Sequence, residues 1–354
     1  MRLAISLPDI MAGIMLLALN AYVLLGGADY GGGVWDLLAS GPRRARQRAL
    51  IADAIGPIWE ANHVWLILVV VLLFTCFPPA FAVVATELHI PLTLMLVGIV
   101  LRGSAFTFRT YDSQRSDVQR RWGLVFSLSS IFTPAMLGIC VGALATGAVG
   151  EASRAVNPTF AERFVTPWLD PFVLGVGVFA LALFAFLAAV YLTLEAEGEV
   201  ELQRDFRRRA YGAGLAVFAC AAGTLALAGE YAPAVRNTLT RSGAALPLQL
   251  ATAAAALTAL GALAAARYRV ARVAAAAQVS FIVWGWAVAG YPYIVPRTLT
   301  IAAAAAPPVT LRLTLVALAA GVVVLVPSLA YLFRVFKSRP LAFERLEESR
   351  TSHE

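Results

Sequence analysis

Nine long apolar stretches run along the chain, at 10–28, 57–77, 80–101, 123–149, 171–194, 211–229, 247–266, 273–294 and 313–336. Most have the roughly 17–25 residues that cross a bilayer as one helix. The apolar positions are thus grouped into spans instead of one buried core with a polar rind. They predict an all-α, polytopic membrane helix bundle of about nine transmembrane helices. The segment 291–310 carries Pro292, Pro296, Pro307 and Pro308, which break a regular helix, so it is expected as an ordered loop on the outer face. One transmembrane domain is expected over 1–338, built of two packed helix bundles, with a short cytoplasmic tail at 339–354.

Composition agrees with the pattern. The 354 residues are 60% hydrophobic and 14% charged, against about 25% charged in soluble domains. A water-soluble globule is excluded. The first stretch follows only Arg2 and is too long for a secretory signal, so it is read as a retained helix. Cys76, Cys140 and Cys220 stand singly in apolar runs and build neither a disulfide framework nor a CxxC metal or haem-attachment motif. The run 26–33 is glycine-rich but has no strand before it, as a dinucleotide fingerprint requires. Close helix contact or an unwound helix end is the expectation there.

The net charge of +7 is accounted for by topology, and no nucleic-acid partner is expected from it. Arg43, Arg44, Arg46 and Arg48 follow the first span, Arg109, Arg115, Arg120 and Arg121 the third, and Arg204, Arg207, Arg208 and Arg209 the fifth. Arg267, Arg269 and Arg272 follow the seventh, and five more basic residues lie at or after the end of the ninth. Basic residues in short loops stay cytoplasmic, so the N-terminus is expected outside and the C-terminus inside.

Ionisable residues within spans are the informative positions, because each costs about 2.5–3.5 kcal/mol at the bilayer centre. Asp29, Glu60, His63, Glu87, His89 and Arg102 qualify. Helical rise puts Asp29 and Arg102 near the inner boundary, Glu60 about 5–7 Å deeper and His63 about 10 Å in. On the second span, Glu60 and His63 at i,i+3 form a titratable face, while Trp59, Asn62 and Trp65 form an aromatic and amide face. An Asp29–Glu60–His63 cluster beside Arg102 is the expected proton route; the plain alternative is an ion pair that orders the bundle. His63 and His89 sit about 10 Å apart in depth, which argues against a haem shared between them. His89 is expected as a hydrogen-bonded core histidine, Glu87 about 10 Å in from the outer side with its partner open, and His353 is set aside as a tail residue.

Three segments then carry a resemblance: GGADYGGGVWDLLA at 26–39, IGPIWEANHVWLI at 55–67 and LRGSAFTFR at 101–109. Together with GYPYIVP at 290–296, TLTI at 298–301 and YLFRVFK at 331–337, they resemble subunit II of the cytochrome bd-type quinol oxidases over nearly the whole chain. The resemblance implies a multi-pass protein of the bacterial cytoplasmic (inner) membrane, in a complex that oxidises quinol and reduces oxygen to water. It further implies a partner, subunit I, carrying two b-type haems and one d-type haem, with no haem, catalytic centre or metal in this chain. Lipid and a small single-helix accessory subunit are further implied partners.

By the same resemblance, Glu60 stands at the acidic position of the proton route, with Asp29 and Arg102 grouped beside it. Trp65 matches a tryptophan of an oxygen access path, and His63 a position held by His or Gln. Where the family often has Trp-Asp after TLTI, this chain has Ala302 and Ala303. Two rival functions remain: an ion-coupled secondary transporter, which predicts paired broken helices and a midplane site, and a purely structural membrane subunit.

Overall fold

The computed structural model describes residues 6–337 apart from 57, 112–115, 155 and 244. Arg2, Arg115, His353 and the tail expected at 339–354 lie outside the described residues. The elements in order are α1 (Leu7–Leu37), α2 (Arg44–Ile55), α3 (Trp59–Cys76), α4 (Pro78–Glu87), α5 (His89–Tyr111), α6 (Ser116–Thr146), α7 (Ala148–Ala152) and α8 (Phe160–Phe164). A 3-10 turn at Thr166–Trp168 leads to α9 (Pro171–Glu195), α10 (Val200–Tyr231), α11 (Pro233–Arg241), α12 (Ala245–Ala264) and α13 (Tyr268–Gly290). Strands β1 (Tyr293–Val295) and β2 (Leu299–Thr300), then α14 (Ile301–Ala304) and α15 (Pro308–Lys337), complete the chain.

Among the described residues, nine helices are long and apolar enough to cross a membrane. They coincide with the nine expected stretches, but several boundaries move. α1 runs unbroken to Leu37 instead of stopping at residue 28, and α10 begins at Val200, well before the stretch at 211–229. The stretch expected at 80–101 divides into α4 and α5. Hydropathy ends a span where charges begin, whereas backbone hydrogen bonding carries a helix on into the polar zone.

The middle of the bundle is α9. Every residue from Leu183 to Val190 is buried, as expected of a helix apolar on all sides, and α1, α6, α10 and α13 pack around it. Between apolar helices in lipid there is little hydrophobic drive to associate, so small side chains that let backbones approach take over. Gly31 is such a site: a Cβ there would stand 1.9 Å from the Phe184 carbonyl oxygen. The glycine-rich run is therefore a helix contact, not an unwound end. Trp35 Nε1 donates to the Ala185 carbonyl at 2.8 Å beside it.

The arginine-rich loops gather at one end of the bundle. There Arg43 donates to Asp205 at 2.9 and 2.8 Å, Gln47 donates to the same carboxylate at 2.9 Å, and Arg46 pairs with Glu199, so α2 is fastened to the start of α10. The Asp205 carboxylate holds the Arg43 guanidinium above its ordinary range. At the far end, the expected ordered loop is a small antiparallel hairpin of β1 and β2. Arg297 reaches Glu151 at 2.7 Å, and Arg154 donates to the Thr298 carbonyl at 2.8 Å. Ala302 and Ala303 are exposed on α14. Cys76 and Cys140 are buried, Cys220 is half-buried, and all three are free thiols.

Candidate functional site

Along one side of α1, buried polar groups meet α3, α5 and α6. Asp29 is 5% exposed and Asn62, on α3, is 2% exposed. The Asn62 amide donates to the Asp29 carboxylate at 2.7 Å. Arg102, on α5, is 1% exposed; its Nε donates to Ser130 Oγ at 3.2 Å and its guanidinium lies 4.7 Å from the Tyr30 ring and 5.2 Å from the Phe126 ring. The ring faces, electron-rich, partly replace the water that the cation has lost. Ser130 Oγ donates in turn to the Phe126 carbonyl at 2.7 Å.

His63 is boxed by the rings of Tyr22, Tyr30 and Trp59, with centroids 5.8–6.0 Å away. Its Nδ1 is 2.9 Å from the Trp59 carbonyl oxygen. A carbonyl only accepts, so Nδ1 carries the proton, and in the neutral ring Nε2 is the acceptor. Tyr30 Oη lies 3.2 Å from that Nε2 and donates to it. Tyr22 Oη follows at 3.5 Å from Tyr30 Oη.

These positions revise the expected cluster in three ways. With α1 extended to Leu37 and α5 to Tyr111, Asp29 and Arg102 lie about 12–14 Å inside their helix ends. Glu60 is the second residue of α3, so it is the shallow member and not the deep one. The two faces proposed for α3 also do not separate: Asn62 joins Asp29, Trp59 joins His63, and Glu60 is exposed. Glu60 shares an exposed apolar stripe with Val64, Ile67, Val71 and Phe74, spaced i, i+4, i+7, i+11 and i+14 as one helix face. Trp59 and Trp65 are half-buried against the core, with Trp59 6.2 Å from the Phe106 ring.

The two other singled-out residues stand at the far end. Glu87 closes α4 at the junction with α5, so it is not within a span; it is 2% exposed and takes three hydrogen bonds from Arg163, at 2.7, 3.0 and 3.3 Å. His89 is exposed, not a core residue, though its hydrogen bond is there: Nδ1 to the Thr86 carbonyl at 2.8 Å. His63 and His89 thus belong to opposite ends of the bundle. With both nitrogens of His63 engaged, these histidines do not fit a haem between them. Among the described residues, no three His, Cys, Asp or Glu side chains gather as a metal site.

One buried carboxylate escaped the sequence reading. Asp36, 1% exposed, accepts from Arg109 Nη1 at 3.0 Å and Ser127 Oγ at 3.1 Å, with Arg48 beside it. It lies beyond the apolar stretch at 10–28 and is not among the ionisable residues singled out there. Its spacing of seven from Asp29 was the available signal, because i and i+7 share a helix face.

Comparison with known proteins decides the family. The family described as cytochrome bd terminal oxidase subunit II matches residues 7–336. The chain belongs to that family. Among curated relatives, subunit 2 of the cytochrome bd-I ubiquinol oxidase of Escherichia coli K12 is 24% identical over 241 residues, 68% of this chain and 61% of the relative. Subunit 2 of the cytochrome bd ubiquinol oxidase of Bacillus subtilis is 26% identical over 55% of this chain and 56% of its own length. These matches thus span about three-fifths of the relatives. The solved bd oxidase of Geobacillus thermodenitrificans has the same fold, with a TM-score of 0.78 at 22% identity, covering 94% of this chain and 99% of that one. For a subunit II of a bd-type terminal oxidase, the family match favours neither the transporter nor the purely structural reading.

Proposed function

We propose that this subunit II chain serves a haem-bearing subunit I in a complex that oxidises quinol and reduces oxygen to water, and that it supplies a proton route and an oxygen path. Subunit I carries two b-type haems and one d-type haem and performs the redox chemistry. The complex sits in the bacterial cytoplasmic membrane, with the N-terminus outside and the arginine-rich end in the cytoplasm. Lipid and a single-helix accessory subunit complete its surroundings.

The observation that carries this reading is the exposed Glu60. A carboxylate on an otherwise apolar membrane face is costly against lipid, and a protein neighbour offering hydrogen-bond donors relieves that cost. We therefore read the α3 stripe as contact surface for subunit I. Reducing oxygen to water consumes one proton per electron, so a pigment buried in the bilayer needs polar groups leading to it from the aqueous side. Glu60 lies at the arginine-rich end, one turn before His63 on α3. Behind His63 stand Asp29, Asn62 and Arg102. Trp59 and Trp65 line the oxygen path, since the gas enters low-polarity surroundings without needing hydrogen bonds; Asn62, bonded to Asp29, joins the polar side.

Glu60→Gln keeps the side chain's size and removes its proton. In the assembled complex, oxygen consumption is expected to fall by about a hundredfold, the scale of one general acid–base group, with haem absorbance and yield unchanged. Loss of haem or of the complex would make Glu60 an anchor instead, and unaltered turnover would refute the proton route.

A further inference from the structure

At the arginine-rich end of the bundle, the loop after α1, the start of α2 and the first turns of α10 enclose a cavity of about 280 Å³. Arg43, Gln47, Asp205, Arg208 and Arg209 line it. Its charges do not balance. Both oxygens of the Asp205 carboxylate are taken by Arg43, at 2.8 and 2.9 Å, and Gln47 adds a third bond at 2.9 Å. The other carboxylates nearby are engaged too: Glu199 pairs with Arg46, and Glu201 with Arg43 at 3.5 Å and Arg204 at 3.0 Å. Arg209 donates to neutral acceptors, the Gln47 side-chain oxygen at 2.7 Å and the Leu38 carbonyl at 3.3 Å, with its guanidinium over the Trp35 and Phe206 rings. Its other terminal nitrogen, Nη1, is buried with no acceptor. Arg208 is exposed, and among the described residues no carboxylate lies within 4 Å of Arg208 or Arg209.

The cavity lies at the level of lipid headgroups. α10 has 32 residues and is about 48 Å long at the helical rise, against about 30 Å of hydrocarbon. Its apolar stretch begins at 211, three residues beyond Arg208, so these arginines stand just outside the hydrocarbon. On the same helix face as Arg208, at i+3, i+7 and i+10, Tyr211, Leu215 and Phe218 are exposed. Tyr211 Oη donates to the Leu260 carbonyl at 3.3 Å, which fixes its ring at the boundary where tyrosine is favoured. The cavity is at the lower end of ligand-site size: it has room for a headgroup, and the stripe below it offers acyl chains an apolar track.

We infer that this cavity seats the phosphodiester of an anionic phospholipid, held by Arg208 and Arg209, with the acyl chains along Tyr211, Leu215 and Phe218. This gives a class and a seat to the lipid of the proposed function; it rests on the membrane setting of that reading and not on the proton route. A guanidinium offers parallel N–H donors to phosphate oxygens, and basic pockets between helix ends suit anionic headgroups. The carboxylates select against a zwitterionic headgroup. With Asp205, Glu199 and Glu201 all engaged by arginines, an ammonium group finds no free acceptor, whereas a phosphate meets two cations. Free inorganic phosphate offers the same oxygens but makes no use of the stripe. Topology alone accounts for arginines at this end, yet it requires neither a cavity nor an apolar track leading from it.

The test uses the complete complex, purified with its haem-bearing partner and stripped of lipid by detergent exchange. Phosphatidylglycerol, phosphatidylethanolamine and inorganic phosphate are added in turn, and bound molecules are counted by native mass spectrometry. The parent is expected to bind phosphatidylglycerol in preference to phosphatidylethanolamine, undisplaced by a large excess of inorganic phosphate. Arg208→Gln is expected to carry one phosphatidylglycerol fewer, with affinity at that site lowered by about fivefold or more, the effect of one arginine near a membrane surface. Because Arg208 is exposed, its replacement leaves packing intact, and haem absorbance and yield should match the parent. Arg120→Gln, which removes another exposed arginine, should bind as the parent does. Equal binding of phosphatidylethanolamine, displacement by inorganic phosphate, unchanged binding in Arg208→Gln, or the same loss in Arg120→Gln overturns the site. A normal Glu60→Gln ends the proton route and leaves this lipid count as it is, so the two readings fail separately.

Discussion

Replacing Gly31 by alanine adds one methyl group where α1 meets α9, and the consequences can be followed atom by atom. The new Cβ would stand 1.9 Å from the Phe184 carbonyl oxygen and 2.7 Å from Ala188 Cβ. Carbon does not approach backbone oxygen within about 3 Å, so α1 must retreat by about 1 Å or deform. The obstacle is a helix backbone, which has no rotamer to change. Overpacking of this kind costs about 1–3 kcal/mol. The retreat also stretches the Trp35–Ala185 bond, 2.8 Å at present, beyond hydrogen-bonding range, a further loss of about 0.5–1.5 kcal/mol. The combined loss of about 1.5–4.5 kcal/mol lowers the folding equilibrium by roughly 10-fold to 2,000-fold. Thermal unfolding of the purified complex, followed by circular dichroism and haem absorbance together, measures it. Gly223→Ala is the control: an added methyl on α10 meets nothing within 4 Å, so its effect is neutral or stabilising by up to about 1 kcal/mol. A Gly31→Ala complex as stable as the control would refute the claim that α1 and α9 touch through backbone at this point.

Two other predictions concern buried carboxylates. Arg163→Gln strands Glu87 without its cation and is expected to destabilise by about 1–3 kcal/mol, below the usual loss for a fully buried pair because Arg163 is partly exposed; adding Glu87→Gln should recover most of that in a double-mutant unfolding cycle. Asp36→Asn keeps the shape but removes the charge facing Arg109, and is expected to lower thermal stability by about 2–4 kcal/mol. Oxygen consumption per haem in that variant should stay at the parent level, and a fall would enlist Asp36 in proton delivery.

The spans were legible because membrane-crossing stretches must be apolar along their whole length, and the costly residues stood out against them for the same reason. Asp29, His63 and Arg102 were found by that logic, and the structure brings them into one buried neighbourhood. Their detailed grouping was not legible. A three-residue spacing places Glu60 and His63 within one side of α3, but only the neighbours of that helix decide that His63 points into the bundle and Glu60 out of it. Tyr22 and Tyr30 were passed over because a phenol is mostly ring and raises no alarm in an apolar run. Asp36 was missed because the helix continues nine residues beyond the stretch that hydropathy marked. The partner of Glu87 lies on α8, far along the chain, and no local pattern connects them.

The place of α9 at the centre has a bearing on how the protein is made. It is the fifth span in order of synthesis, so four earlier spans enter the membrane before the helix that α1 and α6 lean on exists. Until it arrives, the narrow cleft at Gly31 has nothing to close upon, and Tyr30 lacks the Phe184 ring stacked beside it. A nascent chain stopped short of residue 171 should therefore span the bilayer yet remain loosely assembled, and packing becomes complete only after α9 has arrived and α10 and α13 have closed around its other sides.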